Sequence, residues 1–314
     1  MRPFQALSSR RLRLVGSPAG RRTSTGLLSR SLRFPATKLG LGICGLLVLV
    51  AVIGPVVAPQ SPTAIVGLPL QTPTSSHPFG LDFLGRDVLS RFLNGGRSVI
   101  LLALLATVFG SGIGVAVGLT AGYTRNWIDS VLMRCSDVVM SFPALILALV
   151  LLATLGPKLW LVVAGVALTH VPRVARLVRG ATLEVVGREY VSAAEARGEP
   201  VRSILYREIL PNVSTPILID FGVRLAGSVI IISSLSFLGF GLQPPASDWG
   251  LMINENRSAL TIQPYAVLFP LLAIGALAIG VNLIADGVAR AAMSGSGLRR
   301  RAAGTAPVPS GQES

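Results

Sequence analysis

Residues 98–122 of the chain read SVILLALLATVFGSGIGVAVGLTAG, a run without a single charged residue. A helix needs about 20 predominantly apolar residues to cross the hydrocarbon core of a bilayer, so the run predicts a membrane span. Gly110, Gly114 and Gly118 recur at four-residue spacing, which places them on one face of that helix. Small residues on one face allow a second helix to approach closely. The stretch therefore predicts a packed bundle of membrane helices.

Five further segments are apolar enough to span a bilayer: Leu39–Val57, Val131–Leu155, Leu159–Leu177, Pro216–Gly239 and Pro264–Ala289. The whole chain agrees, because 51% of its residues are hydrophobic, 13% are charged and the mean hydropathy is +0.66. The runs are continuous rather than alternating, which favours helices over a barrel. The predicted fold class is an all-α membrane protein with six transmembrane helices.

The net charge is +14, and the distribution of the basic residues along the chain indicates the membrane topology. Basic residues concentrate in the first 38 residues, between the fourth and fifth spans, and after Arg290. With six spans these segments share one side, which the positive-inside rule makes cytoplasmic, so both termini lie inside. This distribution argues against nucleic acid and for some attraction to membrane lipid. The Arg- and Ser-rich N-terminus also fits a transit peptide, although its prolines and glycines favour a disordered cytoplasmic tail.

A charged island, EYVSAAEARGEPVRSILYREILPN, lies between apolar runs at residues 189–212. Gly198 and Pro200 predict a break between two helices, and Pro211 is expected to stop the second helix. In the second helix an apolar stripe is formed by Val201, Ile204, Leu205 and Ile209. Periodicity alone leaves two interpretations open: a surface for a partner, or an interfacial helix resting on the membrane.

Groups for catalysis are scarce in the sequence. There is no Gly-x-x-x-x-Gly-Lys-Ser/Thr loop, so the chain is not expected to hydrolyse ATP, and no catalytic, cofactor or metal site is indicated. Asp220 and Arg224 stand one turn apart, a spacing that lets them neutralise each other inside a membrane. His170 is expected to be a hydrogen-bonded structural residue. A secondary carrier would need acidic groups nearer the middle of a span.

Several motifs resemble those of one transport family. The run from Ser192 through Gly198 to Glu208-Ile-Leu-Pro resembles the EAA loop of ABC importer permeases. HPFGLDFLGRDVLSR at 77–91 and SFLGFGLQPP at 236–245 resemble segments of the dipeptide/oligopeptide permease C subunits, as do ARLVRG at 175–180 and NLIADG at 282–287. Three residues depart from the family pattern: Ser192, Glu208 and Ile232.

The resemblance implies a type I ABC importer (MetI-like) transmembrane domain at 96–289 with the EAA loop at 189–212. A first helix and external loop would precede it at 39–95, with cytoplasmic tails at 1–38 and 290–314. The family pairs two homologous permease subunits, here with a B-type partner, in the bacterial cell membrane. Two ATPase subunits bind ATP and Mg²⁺, and an extracytoplasmic binding protein delivers the cargo.

The resemblance also implies roles for individual residues. Ala193, Ala194 and Gly198 would allow close approach of the ATPase, while Val201, Ile204 and Leu205 would form the coupling helix. Leu210 and Pro211 complete the expected ATPase-coupling set. Short peptides are the expected cargo, and nickel, glutathione and haem are the alternatives within the same machinery.

Overall fold

The structure is a computed structural model that describes residues 29–304, with side chains described as far as residue 294. In the described residues five helices are long and apolar enough to cross a membrane, and a bent helix pair makes a sixth crossing if its two pieces are counted as one span. The predicted helical fold is therefore confirmed. The helices are α1 Pro35–Val57, α2 Val88–Thr124, α3 Trp127–Met140, α4 Ala144–Leu155, α5 Leu159–Val186, α6 Glu189–Ala196, α7 Val201–Phe237, α8 Trp249–Asn256 and α9 Tyr265–Gly304.

The ends of the first and last spans differ from the sequence-based bounds. Helix α1 begins at Pro35, where proline suits the first helical turn. Helix α9 continues to Gly304, well past the expected end at Ala289. Most of the tail predicted at 1–38, and the end of the tail predicted at 290–314, lie outside the described residues.

Helices α2 and α5 pack against each other through the glycine face of α2. A Cβ atom at Gly110 would lie 2.8 Å from the Ala167 carbonyl oxygen, and one at Gly118 would lie 2.5 Å from that of Ala175. Such distances leave no room for a side chain, so glycine is required for this approach. The four-residue spacing therefore marks a helix interface, as predicted.

We expect Gly118→Val to destabilise the protein by about 1–3 kcal/mol, because the added methyl groups overfill the α2–α5 interface. Gly112→Val is the matched control, since a Cβ atom at Gly112 meets nothing within 4 Å. Thermal unfolding of the two purified variants in detergent checks the difference. Equal melting temperatures would contradict this packing.

The third span is bent rather than straight, which corrects the prediction of one helix over Val131–Leu155. Helices α3 and α4 meet at an angle of 85°. Pro143 causes the break, because it lacks a backbone N–H and disfavours the helical conformation of the residue before it. Neither piece alone spans about 30 Å of hydrocarbon, since 14 and 12 residues extend only about 21 and 18 Å.

The prediction that Pro211 stops a helix is wrong. Helix α7 runs from Val201 to Phe237 without interruption and carries Pro211 inside it. Residues Ile204–Ile209 form a π-helical segment, and the N–H of Leu210 bonds to the Leu205 carbonyl oxygen five residues back. This wider turn directly precedes the proline and relieves the usual clash of its ring with the preceding turn.

The external loop between α1 and α2 is held by a buried ionic cluster. Arg91 donates from Nη1 to Asp82 Oδ2 and to Glu255 Oε2, both at 2.6 Å. Arg86 binds the same two carboxylates at 2.7 and 2.8 Å. Two positive and two negative side chains balance, and each is at most 6% exposed. The cluster connects the HPFGLDFLGRDVLSR motif to α8.

Candidate functional site

The charged island folds as a helical hairpin at the end of α5. Helix α6 ends in a glycine cap: Gly198 has φ +72°, its N–H bonds to Glu195 O at 2.9 Å, and the Glu199 N–H bonds to Ala194 O at 3.2 Å. A left-handed glycine at this position is a common way to close a helix. Pro200 then precedes the first turn of α7. The predicted helix, break and helix are confirmed.

The residues predicted to couple to an ATPase divide into two groups in the structure. The exposed group is Ala193, Gly198, Val201 and Pro211, whereas the buried or half-buried group is Ala194, Ile204, Leu205 and Leu210. A Cβ atom at Gly198 would meet nothing within 4 Å. The outer surface of the hairpin is therefore open and has little side-chain bulk around Gly198.

The inner side of the hairpin belongs to a hydrophobic core of its own. Ala194, Ile204 and Ile209 are at most 1% exposed. They share this core with residues of α2, α5, α6 and α7, namely Leu119, Val174, Val178, Val185, Val191 and Val213. Complete burial of an isoleucine side chain contributes about 1.5–3 kcal/mol. The hairpin is thus packed onto the ends of the membrane helices.

The outer face of the hairpin carries a shallow depression of about 550 Å³. Its walls come from the start of α7 and the residues before it: Glu199, Pro200, Arg202, Ser203, Tyr206 and Arg207. Tyr206 is 59% exposed although it is aromatic. The sequence analysis assigned none of these side chains to the coupling site. Their position on the side of the helix opposite the apolar stripe is the sequence feature that could have identified them.

Short polar contacts stabilise the break between α6 and α7. Arg197 Nη2 donates to Glu199 Oε1 at 2.6 Å, and Ser203 Oγ donates to Glu199 Oε2 at 3.2 Å. The hydrogen bond from Arg197, with that from Ser203, lowers the pKa of the partly exposed Glu199 carboxyl below its ordinary value. Glu199 is therefore ionised at neutral pH. Tyr123, near the end of α2, donates its hydroxyl to Glu195 Oε1 at 2.9 Å.

A second polar group lies inside the bundle, between α2, α5 and α7. Arg224 Nη2 binds Asp220 Oδ1 at 2.9 Å, which confirms the predicted one-turn ion pair. His170 Nε2 lies 2.8 Å from Ser228 Oγ, and that hydroxyl lies 2.8 Å from Thr107 Oγ1. His170 is therefore a hydrogen-bonded residue of the interior, as expected.

Comparison with known proteins identifies the family. Residues 114–293 match the family described as binding-protein-dependent transport system inner membrane component. The chain is 41% identical over 216 residues to the glutathione transport system permease protein GsiD of Pectobacterium atrosepticum, covering 69% of this chain and 72% of the relative. It is 38% identical to the protein of that name from Escherichia coli O6:K15:H31, over 69% of this chain and 71% of the relative.

Among solved structures, the chain is similar to one in the inward-facing MetNI methionine ABC transporter. The TM-score is 0.49 at 16% identity, and the match covers 63% of this chain and 96% of that one. The family is therefore assigned from the sequence comparisons, namely the family match and the two relatives. The chain belongs to the family of binding-protein-dependent transport system inner membrane components and is a multi-pass permease subunit of an ABC importer in the bacterial inner membrane.

Proposed function

We propose that this permease imports short peptides, glutathione among them, as half of a translocation pore completed by a homologous B-type permease. The observation that supports the cargo is the name of the relatives, which are glutathione transport permeases at 38–41% identity. Glutathione is itself a small peptide, so it belongs to the class expected from the sequence motifs. No comparable observation favours nickel or haem.

The hairpin at 189–212 is the proposed contact with an ATPase subunit. It is exposed on its outer side, and the open surface at Ala193 and Gly198 lets a partner approach the backbone closely. Val201 is 50% exposed at the start of α7, where an apolar side chain can enter a groove on the partner. In this proposal ATP and Mg²⁺ are bound by the partner ATPases.

The buried members of the coupling set act from inside the hairpin. Ala194 and Ile204 hold the coupling helix against the ends of α2 and α5, so that movement of its outer surface is passed to the membrane helices. Leu205 and Leu210, both half-buried, lie at the edge of this core, whereas Pro211 is exposed. We therefore assign contact with the ATPase to Ala193, Gly198 and Val201, and support of the hairpin to Ala194, Ile204, Leu205 and Leu210.

In the proposed cycle, closure of the ATPase dimer on ATP moves the two hairpins of the permease pair together. The spans then rotate as rigid bodies from an inward-facing to an outward-facing pore, which accepts cargo from the external binding protein. Hydrolysis returns the pore to the inward-facing state. The loops at 59–97 and 241–263 are the proposed surface for the binding protein.

Reconstitution of the complete importer in proteoliposomes tests the proposal. We expect ATP-dependent uptake of labelled glutathione and of a labelled dipeptide, and loss of both when the binding protein or ATP is omitted. Uptake of nickel or haem without uptake of either peptide would overturn the cargo. Peptide uptake driven by a proton gradient without ATP would overturn the coupling.

A further inference from the structure

Arg173 is the first charged residue of α5 and follows its apolar stretch, on the hairpin side of the span. It lies within α5 and is only partly exposed. Its neighbours Arg176 and Arg179 form ion pairs with Asp137 and Asp129. Arg173 forms neither an ion pair nor a hydrogen bond with any residue in the described part of the chain. Charges of this kind are costly in a membrane and occur mainly where they serve a polar pathway.

The hydrogen bond between His170 and Ser228 places Arg173 at the level of Arg224. Arg173 follows His170 by three residues, or about 4.5 Å along α5. Arg224 precedes Ser228 by four residues, or about 6 Å along α7. Helix α5 leads into the hairpin and α7 leads out of it, so the two helices run in opposite directions. Both arginines therefore lie nearer to the hairpin than the His170–Ser228 hydrogen bond does. Both also lie close enough to His170 to act on it electrostatically.

The charges at this level do not balance. Arg224 engages Asp220 through Nε and Nη2, which leaves its Nη1 without an acceptor among the residues described. The charge of Asp220 is thus neutralised by the guanidinium of Arg224, and Arg173 adds a second guanidinium at the same level. The level carries one excess positive charge and free N–H donors from two helices. Guanidinium groups recognise carboxylates with strong, charge-assisted hydrogen bonds.

We propose that Arg173, assisted by Arg224 Nη1, binds the carboxylate of the peptide cargo as it passes through the permease. This inference rests on the proposed function, since every unmodified short peptide ends in a carboxylate. An anionic group also occurs in phospholipid headgroups, and the vesicle lipid is varied for that reason. The site explains why a positive charge is retained at this depth without an acidic partner among the described residues.

The test compares a dipeptide with its C-terminal amide in proteoliposomes that hold the complete importer. We expect Arg173→Gln to lower uptake of the free acid about tenfold, the usual effect of losing one charge-assisted hydrogen bond, and to change uptake of the amide less than about twofold. All samples use one binding protein, so its own preference cancels in the ratio of variant to wild type. Arg173→Lys, which keeps the charge, is expected to retain most uptake of the acid.

Arg134→Gln is the matched control, because Arg134 is an exposed arginine on α3 and its loss removes the same charge. Arg173→Met is a second neutral variant, for use if Arg173→Gln does not assemble.

Equal losses for acid and amide, or no loss for either, would overturn the site while wild-type peptide uptake still supports the proposed function. A loss confined to vesicles with anionic lipid and independent of the C-terminus would assign Arg173 to lipid. Absence of all peptide uptake by wild type would overturn both proposals.

Discussion

Gly198→Trp is expected to abolish ATP-driven uptake while leaving the permease folded in the membrane. The position is open, because a Cβ atom there meets nothing within 4 Å, so the indole does not collide with the chain itself. The left-handed backbone at φ +72° costs a non-glycine residue about 1–2 kcal/mol, which a bundle of this size tolerates. The indole instead occupies the surface where we propose the ATPase approaches. Uptake and ATPase stimulation in reconstituted vesicles measure the effect.

Two control variants separate bulk from backbone strain at this position. Gly198→Asn keeps a residue type that adopts the left-handed conformation and adds little volume, so we expect it to retain a substantial part of the uptake. Gly187→Trp adds the same indole at another open glycine, one with φ −78°, and should leave uptake near wild type. Wild-type uptake by Gly198→Trp would show that the hairpin is not the coupling surface.

Arg91→Met is expected to lower the free energy of unfolding by about 3–5 kcal/mol, more than Gly118→Val does. Arg91 is fully buried and binds both Asp82 and Glu255. Without its guanidinium, two buried carboxylates share only Arg86, and one negative charge remains uncompensated. Such an imbalance costs far more than the intact cluster contributes. The external loop and α8 are expected to loosen first.

Thermal unfolding and limited proteolysis of the external loop measure the effect of Arg91→Met. Arg97→Met is the matched control, because Arg97 is exposed at the same end of α2. Its melting temperature should stay within about one or two degrees of wild type, as for most exposed substitutions. Equal stability of the two variants would contradict the buried ionic cluster.

Features set by local spacing could be predicted from the sequence. Apolar runs indicated the spans, because burial in lipid demands helices of known length. The four-residue glycine spacing predicted the α2–α5 interface, and the one-turn separation of Asp220 and Arg224 predicted their ion pair. Gly198 and Pro200 marked the hairpin break because each has a narrow conformational preference.

Features that depend on distant partners could not be predicted in this way. Hydropathy reports how apolar a segment is but not whether its helix axis changes direction. The bend at Pro143 was therefore not predicted. Pro211 was expected to end a helix because proline usually does. The π-helical segment that accommodates it contains the buried Ile204 and Ile209, and no local sequence pattern indicates such a segment. The periodicity of the hairpin showed a stripe but not that the protein's own core covers it. Glu255 lies too far from Arg91 in sequence for any local pattern to pair them.

The continuity of α7 has a mechanical consequence. Its 37 residues extend about 55 Å, from the hairpin to the outer end of the fifth span. No non-helical residue separates its two ends, so the helix can tilt as one rod, although its π-helical segment and its two prolines are the places where a bend would form. Tilting such a rod by about 10° around its inner end displaces its outer end by about 10 Å, given that length. A small angular movement at the cytoplasmic face is thereby amplified into a displacement as wide as a helix.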